Sequence, residues 1–366
     1  MLLRLPTPAH HARHRTLRWA CVILASNLGA ATAWGQSVTL FGVLDVNVRS
    51  VANGSADTLR SESSDGLNTS RIGLRGQEDL GDGLKAAFWL ESAVVPDTGT
   101  TNAKFWNRRA TVALVDPRWG ELRLGRDNMP TFTALGVYDP FGTNGLGSVI
   151  GNGTGTGLVS LLGSGANTLS RSDNQVSYFL PAGLAGVYGQ LAVAPGEGTI
   201  GNHQTSGRVG YAGGPLNVSV SYAQTDVIAG DKYKQNVIGG SYDFGWAKAA
   251  LMRVESRYDS SAGGPRKQTL YELGATVPVG SGEIHAGYIK ATMAGGAALS
   301  GYSDGDDAHQ YALSYLYKLS KRTAVYGTAA RLNNDGGSKL VLAAGNPGML
   351  AGERSTGYEL GLRHNF

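Results

Sequence analysis

Residues 70 to 92, SRIGLRGQEDLGDGLKAAFWLES, constrain the fold more than any other stretch of the chain. Ile72, Leu74, Leu84, Ala86, Phe88 and Leu90 fall on one parity, and Arg71, Arg75, Lys85 and Glu91 fall on the other. A period of two marks a β-strand, because successive side chains point to opposite faces. Between the halves lies EDLGDG at 78–83, whose glycines can take the positive φ of a tight reversal. The unit is a hairpin with one oily and one charged face. Alternation alone leaves open whether the oily face meets a protein core or lipid.

The same rhythm runs through most of the chain. In residues 38–50, Val38, Leu40, Leu44, Val46 and Val48 share a face with Gly42, opposite Thr39, Asp45, Asn47 and Arg49. Strands are expected at 105–115 and 121–127, then from 174 onward, and last at 356–366. The total is about 16 segments of roughly ten residues, the length that crosses a bilayer at a tilt. Short turns such as 116–120, 181–183 and 243–245 alternate with longer polar connections such as 51–66, 93–104, 256–266, 292–307 and 332–354. A sandwich mixes loop lengths at both ends, whereas a barrel with one rim inside and one outside separates them. Residues 128–170 break the rhythm with Gly, Ser and Thr among small apolar residues, and an irregular insertion that long is usually functional or disordered.

Residues 1–35 read as an export signal. Arg4, Arg13, Arg15 and Arg18 precede the apolar run WACVILASNLGAATA at 19–33, with cleavage open after Ala33 or Gly35 and Gly35 preferred. This segment holds four of the 32 Lys+Arg and none of the 28 Asp+Glu, so the exported chain balances at 28 against 28. The overall basicity therefore gives no support to nucleic-acid binding. The single cysteine, Cys21, lies in the same segment, which leaves no disulfide or thiol chemistry beyond it. No later run approaches 18 apolar residues, so a membrane would have to be crossed by strands. The final YELGLRHNF puts Tyr358, Leu360, Leu362 and Phe366 on one face, an edge liability in a soluble sheet but not in a closed barrel.

The opening SVTLFGVLDV, the hairpin at 70–92, NRRATVALVDPRWGELRLGR, YDPFG and the terminal GLRHNF, in this order, resemble the general trimeric porins of Gram-negative outer membranes. The resemblance implies an all-β, 16-stranded antiparallel transmembrane β-barrel over 36–366, three copies per assembly, and a third long loop, 128–170, folded into the lumen as a constriction. It also implies wall arginines facing loop acids across the narrowest part: Arg71 in SRIGLRG, Arg108 in NRRA and Arg171 just after the loop, with Asp139 in YDPFG as the loop acid. Arg75 shares Arg71's parity and is expected to face the pore one step nearer the turn. Strict alternation sets Arg108 with Ala110, Val112 and Leu114 and sets Arg109 opposite, so only one should enter the lumen unless a bulge intervenes; the resemblance favours Arg108.

The expected function is a water-filled outer-membrane channel for passive diffusion of small hydrophilic solutes and ions, mildly anion-preferring, with no cofactor. Its expected partners are two further copies in a homotrimer, membrane lipids and the solutes themselves. A substrate-specific channel is one alternative, which an aromatic ladder in the lumen would support; only Trp89 and Phe41 have lumen parity. An exported soluble ligand-binding β-protein is the other. Gly301-Tyr-Ser-Asp-Gly305 matches G-x-S-x-G but lies in a polar loop without the strand and helix a nucleophile elbow needs. Asp304, Asp306 and Asp307 lack EF-hand spacing, GNGTGTG at 151–157 lacks the Lys-Ser/Thr of a phosphate loop, and the seven histidines show no ligand spacing.

Overall fold

The alternation becomes one antiparallel sheet that closes on itself. The structure, a computed structural model, describes residues 37–150, 168–227, 230–261, 264–295, 303–343 and 349–366. The expected signal segment, the glycine-rich tract 151–157 and part of the long loop lie outside them. Among the described residues the sheet has eighteen strands, of which Leu59–Ser64 and Thr100–Thr101 are short additions, leaving sixteen staves. Each stave pairs with the next in the chain, and the first, Ser37–Asn53, pairs with the last, Arg354–Asn365, from Val43↔Asn365 to Asn53↔Ser355. The all-β, 16-stranded barrel is therefore observed.

The faces are inverted relative to a soluble sheet. On the first strand Val38, Leu40, Leu44 and Val48 are exposed, while Asp45, Asn47, Arg49 and Asn53 are buried inside the barrel. Large apolar side chains pointing outward all round and polar ones inward are what a lipid-facing barrel requires. A soluble ligand-binding protein would not expose such a band.

At the seam, the Gly42 and Phe366 backbones exchange N–H···O bonds of 3.1 Å each way. A Cβ on Gly42 would lie 2.3 Å from the Phe366 ring, so the ring of the last residue occupies the space the glycine leaves. The buried Arg49–Glu359 pair, 2.8 Å between Nη2 and Oε2, spans the same two strands.

Three local departures have physical causes. The polar connection at 51–66 contains the strand Leu59–Ser64, which pairs with Val46–Val51 above the point where Arg71–Gly81 takes over the lower half of the first strand. The strand expected from 105 starts at Arg109, because the Asn107 side chain accepts the Ala93 N–H at 2.8 Å in place of a ladder bond. The irregular stretch also holds an α-helix, Pro130–Tyr138, with Pro at its first turn, where its missing N–H costs nothing.

That helix and the following turn fold into the barrel and build its core. Leu135, Tyr138, Phe141 and Leu146 pack on Val237, Met252, Leu270, Ile289 and Leu332 of the inner wall. The wall makes room with glycines: a Cβ on Gly239 would sit 2.2 Å from the Tyr138 ring, on Gly274 2.7 Å from Pro140, and on Gly287 2.9 Å from Phe141. Tyr138 then donates to Ser219 Oγ at 2.9 Å, and Gln310 Nε2 donates to the Gly147 carbonyl at 3.0 Å. Filling this track should dislodge the loop. Gly239→Val is expected to cost about 1–3 kcal/mol of overpacking, read as a lower unfolding midpoint and an altered single-channel conductance. If neither changes, the loop does not rest on that wall.

Candidate functional site

Pairing register decides which charges share the lumen. Arg71 lies opposite Ala93 and Arg75 opposite Trp89, while Glu91 lies opposite Gly73 and Arg109; directly paired residues project from the same face. Thr111 and Ala113 on the Arg109 parity are buried, whereas Val112 and Leu114 are exposed outward. Arg109 thus faces inward by strict alternation. Arg108, just before the strand begins, is freed from that alternation, and its Nε reaches Glu91 Oε1 at 2.5 Å. Both members of the pair are on the inner side, and no bulge was needed.

Glu91 organises this part of the wall. Besides Arg108 it has Arg71 Nε at 3.6 Å from Oε1, and its Oε2 accepts from Trp89 Nε1 at 3.1 Å. Arg123 Nη1 donates to Asp127 Oδ2 at 2.5 Å and its Nε to Glu121 at 2.7 Å, while Arg126 Nη1 donates to Asp173 at 2.7 Å beside Lys104. Arg171 lies within electrostatic reach of Arg108 and Arg126, with its guanidinium 5.4 Å from the Phe132 ring of the inserted helix. The structure thus gathers Arg71, Arg108 and Arg171 and adds Arg109, the alternative that strict alternation favours, and Arg123, which motif matching passed over. Arg123 could have been found in GELRLGR, where Leu122 and Leu124 mark the outward parity.

Aromatic rings hold several of these cations. The Arg75 guanidinium lies 5.3 Å from the Phe41 ring and 5.1 Å from Trp89, which also has Arg109 at 4.6 Å, and Arg123 lies 4.1 Å from Phe179. A ring face attracts a cation through its quadrupole without using the cation's N–H donors. Arg75 makes no ion pair among the described residues, so its donors stay open to the lumen. Phe41 and Trp89 are therefore seats for arginines rather than steps of an aromatic ladder.

Asp139 is placed differently from the other predicted site residues. It is buried, and its Oδ1 accepts the Phe141 N–H at 2.7 Å while Oδ2 accepts those of Thr143 and Val149 at 3.0 and 3.3 Å. Its neighbour across the loop–wall contact is Glu272, not an arginine. Asp139 is also the only charged residue between 129 and 170. With that carboxyl engaged by its own backbone, the described part of the loop presents no exposed charge to the arginine wall.

Ser303 belongs to a turn in which its N–H donates to Asp306 at 2.5 Å, and Asp306 also accepts from Gly337 at 2.5 Å, so this acid closes a loop. Gly301 and Tyr302 lie outside the described residues. Among the described residues no group of three His, Cys, Asp or Glu could hold a metal ion.

Burial pushes the Asp139 carboxyl up to about 6, against the opposing effect of its three backbone donors. The folded protein therefore holds this proton more tightly than the unfolded chain, whose value is near 3.8. Its favourable contribution is complete below about pH 4, is lost as pH rises through about 6, and is flat above, an effect of at most ~3 kcal/mol. Asp139→Asn should flatten this part of the thermal-unfolding profile and lower stability at pH 7, because an amide cannot accept at both oxygen positions. Superimposable pH profiles for the two proteins would overturn this account.

Comparison with known proteins agrees with this architecture. A family model described as "Gram-negative porin" matches residues 20–337. The outer membrane porin protein 32 of Delftia acidovorans is 37% identical over 362 residues, covering 95% of this chain and 98% of the relative. The solved anion-selective porin from Comamonas acidovorans superposes with a TM-score of 0.78 at 35% identity, covering 91% of this chain and 100% of that one. The Vibrio cholerae outer membrane protein OmpT, solved in a trimer form, shares the fold at 16% identity and a TM-score of 0.65, over 91% of this chain and 100% of its own.

Proposed function

The chain belongs to the Gram-negative porin family and is an outer-membrane pore, and on that premise we propose that its water-filled channel passes small hydrophilic solutes with a preference for anions. The observation that carries the preference is the imbalance across the lumen. Arg71, Arg75, Arg108, Arg109, Arg123 and Arg171 project from one arc of wall with Glu91, Glu121 and Asp127 among them. The described residues of the facing loop contribute no exposed charge.

Fixed charge of one sign in a narrow, poorly screened gap raises the local concentration of its counter-ion and lowers that of its co-ion. In this reading Arg71, Arg108 and Arg171 line the constriction together with Arg109. Arg75 and Arg123 extend the positive surface along the wall. Glu91 fixes Arg71 and Arg108 in place while cancelling only part of their charge. Asp139 shapes the loop and supplies no counter-charge to the pore.

We further propose that residues 1–35 are a cleaved export signal, that 36–366 form the mature barrel, and that three copies assemble. The outward rows Val112, Leu114, Leu122 and Leu124 on the short staves support the assembly, since they are apolar enough to meet a second barrel as well as lipid.

Purified protein in a planar bilayer under a salt gradient tests the reading. Current steps in threes and an anion-shifted reversal potential are expected. Replacing Arg75 and Arg109 together by Gln should lower the anion-to-cation permeability ratio by about twofold to fivefold while the barrel stays folded. A clear cation preference in the parent protein would refute the charge argument.

A further inference from the structure

A second segment enters the lumen beside the long loop. Between Leu59–Ser64 and Arg71–Gly81, both paired to the first strand, residues 65–70 (DGLNTS) leave the sheet and fold inward. The buried Asp45 carboxylate holds them there. Its Oδ2 accepts the Leu67 and Asn68 N–H groups at 2.9 and 2.8 Å, and its Oδ1 accepts the Tyr326 hydroxyl at 2.6 Å. Leu67 packs on Leu316, Ala324 and Tyr326, and Asn68 Oδ1 accepts from Arg363 Nη1 at 3.0 Å. The segment is thus a strap laid across the inside of the seam.

This strap joins the loop to the arginine wall. Toward the loop, the Asp65 carbonyl accepts the Gly145 N–H at 3.0 Å, and Thr69 Oγ1 donates to Asn144 Oδ1 at 2.9 Å. A Cβ on Gly145 would collide with the Gly66 carbonyl, so the two backbones meet directly. Toward the wall, the Thr69 carbonyl accepts from Arg71 Nη1 at 3.1 Å. At its other end the loop meets the wall where Phe132 lies against Arg171. Wall, strap and loop therefore form a ring, and the strap supplies the part between Arg71 and Asn144.

Asp65 is the only charged residue of the strap. It has a left-handed φ of 75°, which Asp and Asn tolerate better than most residues, and its Oδ1 accepts the Ser70 N–H at 2.7 Å. Half-buried, it makes no ion pair among the described residues, yet it lies within electrostatic reach of Arg71 and Arg108. Glu91 spends its charge in contact with Arg108, whereas the Asp65 field extends into the gap. An ion must leave a pore as readily as it enters, and a fixed negative charge facing the arginines makes the anion well shallower.

We infer that residues 65–70 are a second constriction element and that Asp65 is the acid that limits the anion preference of the pore, a place Asp139 does not take. The inference rests on the anion-preferring reading of the channel and adds the residue that sets its degree.

Reversal potentials of the purified protein in a planar bilayer under a potassium chloride gradient provide the test. Asp65→Asn keeps an oxygen for the Ser70 N–H and removes the charge. It should raise the anion-to-cation permeability ratio by about 1.5-fold to threefold, with an unfolding midpoint like the parent's. Asp65→Cys gives a second readout within one channel, since the only native cysteine lies at position 21. Once mass spectrometry shows the thiol labelled, a negatively charged methanethiosulfonate reagent should return the ratio toward the parent's, and a positively charged one should raise it further. An unchanged ratio in Asp65→Asn, or a ratio indifferent to both labels, would overturn the inference and leave the parent's anion preference standing. A cation-preferring parent whose Asp65→Asn variant still shifts toward anions would refute the anion reading alone and support the place of Asp65 at the constriction.

Discussion

The requirement that no backbone polar group be left bare in hydrocarbon governs everything else in this molecule. A sheet meets it only by closing, and closure here rests on the ladder between Ser37–Asn53 and Arg354–Asn365. Once the sheet is closed, its outer face must be apolar and its inner face can be polar. The interior of a sixteen-stave barrel is too wide for side chains to fill. The chain fills part of it with its own inserted loop, and the core that would lie between two sheets in a soluble protein lies between loop and wall.

The two arcs of the inner wall therefore have different tasks. The arc carrying Gly239, Gly274 and Gly287 is shaped to receive the loop, and its polar groups, such as Ser219 and Gln310, are spent on holding it. The arc from Arg71 to Arg171 carries the charge. On the proposed reading neither arc is selective alone: without the loop the passage is wide and screened, and without the arginines it is narrow but indifferent to sign.

The staves were legible in the sequence because lumen and lipid impose opposite demands on alternate residues, so even short segments such as 121–127 show the period. The inserted helix was not legible. Thr131, Thr133, Gly136 and Val137 are weak helix formers, and the helix stands on packing against wall residues more than 80 positions away. Arg108 posed a similar difficulty, since its inward turn depends on where the strand begins, and that depends on the Asn107–Ala93 bond across a loop. Asp139 was visible as a charge in the right loop. Its use was not, because its partners are N–H groups of its own backbone, which no side-chain pattern reports.

The contact between Phe366 and Gly42 bears on the order of assembly. The seam joins the first strand to the last, so the loop that closes it includes nearly every residue between them, and few contacts can be more distant in sequence. Hairpins such as 70–92 can pair as soon as both arms exist, but the first strand has an unsatisfied edge until the last residue arrives. The barrel is consequently finished in one late step. A chain cut short at its end keeps every local hairpin and still has an open edge, in the one environment where an open edge is not tolerated.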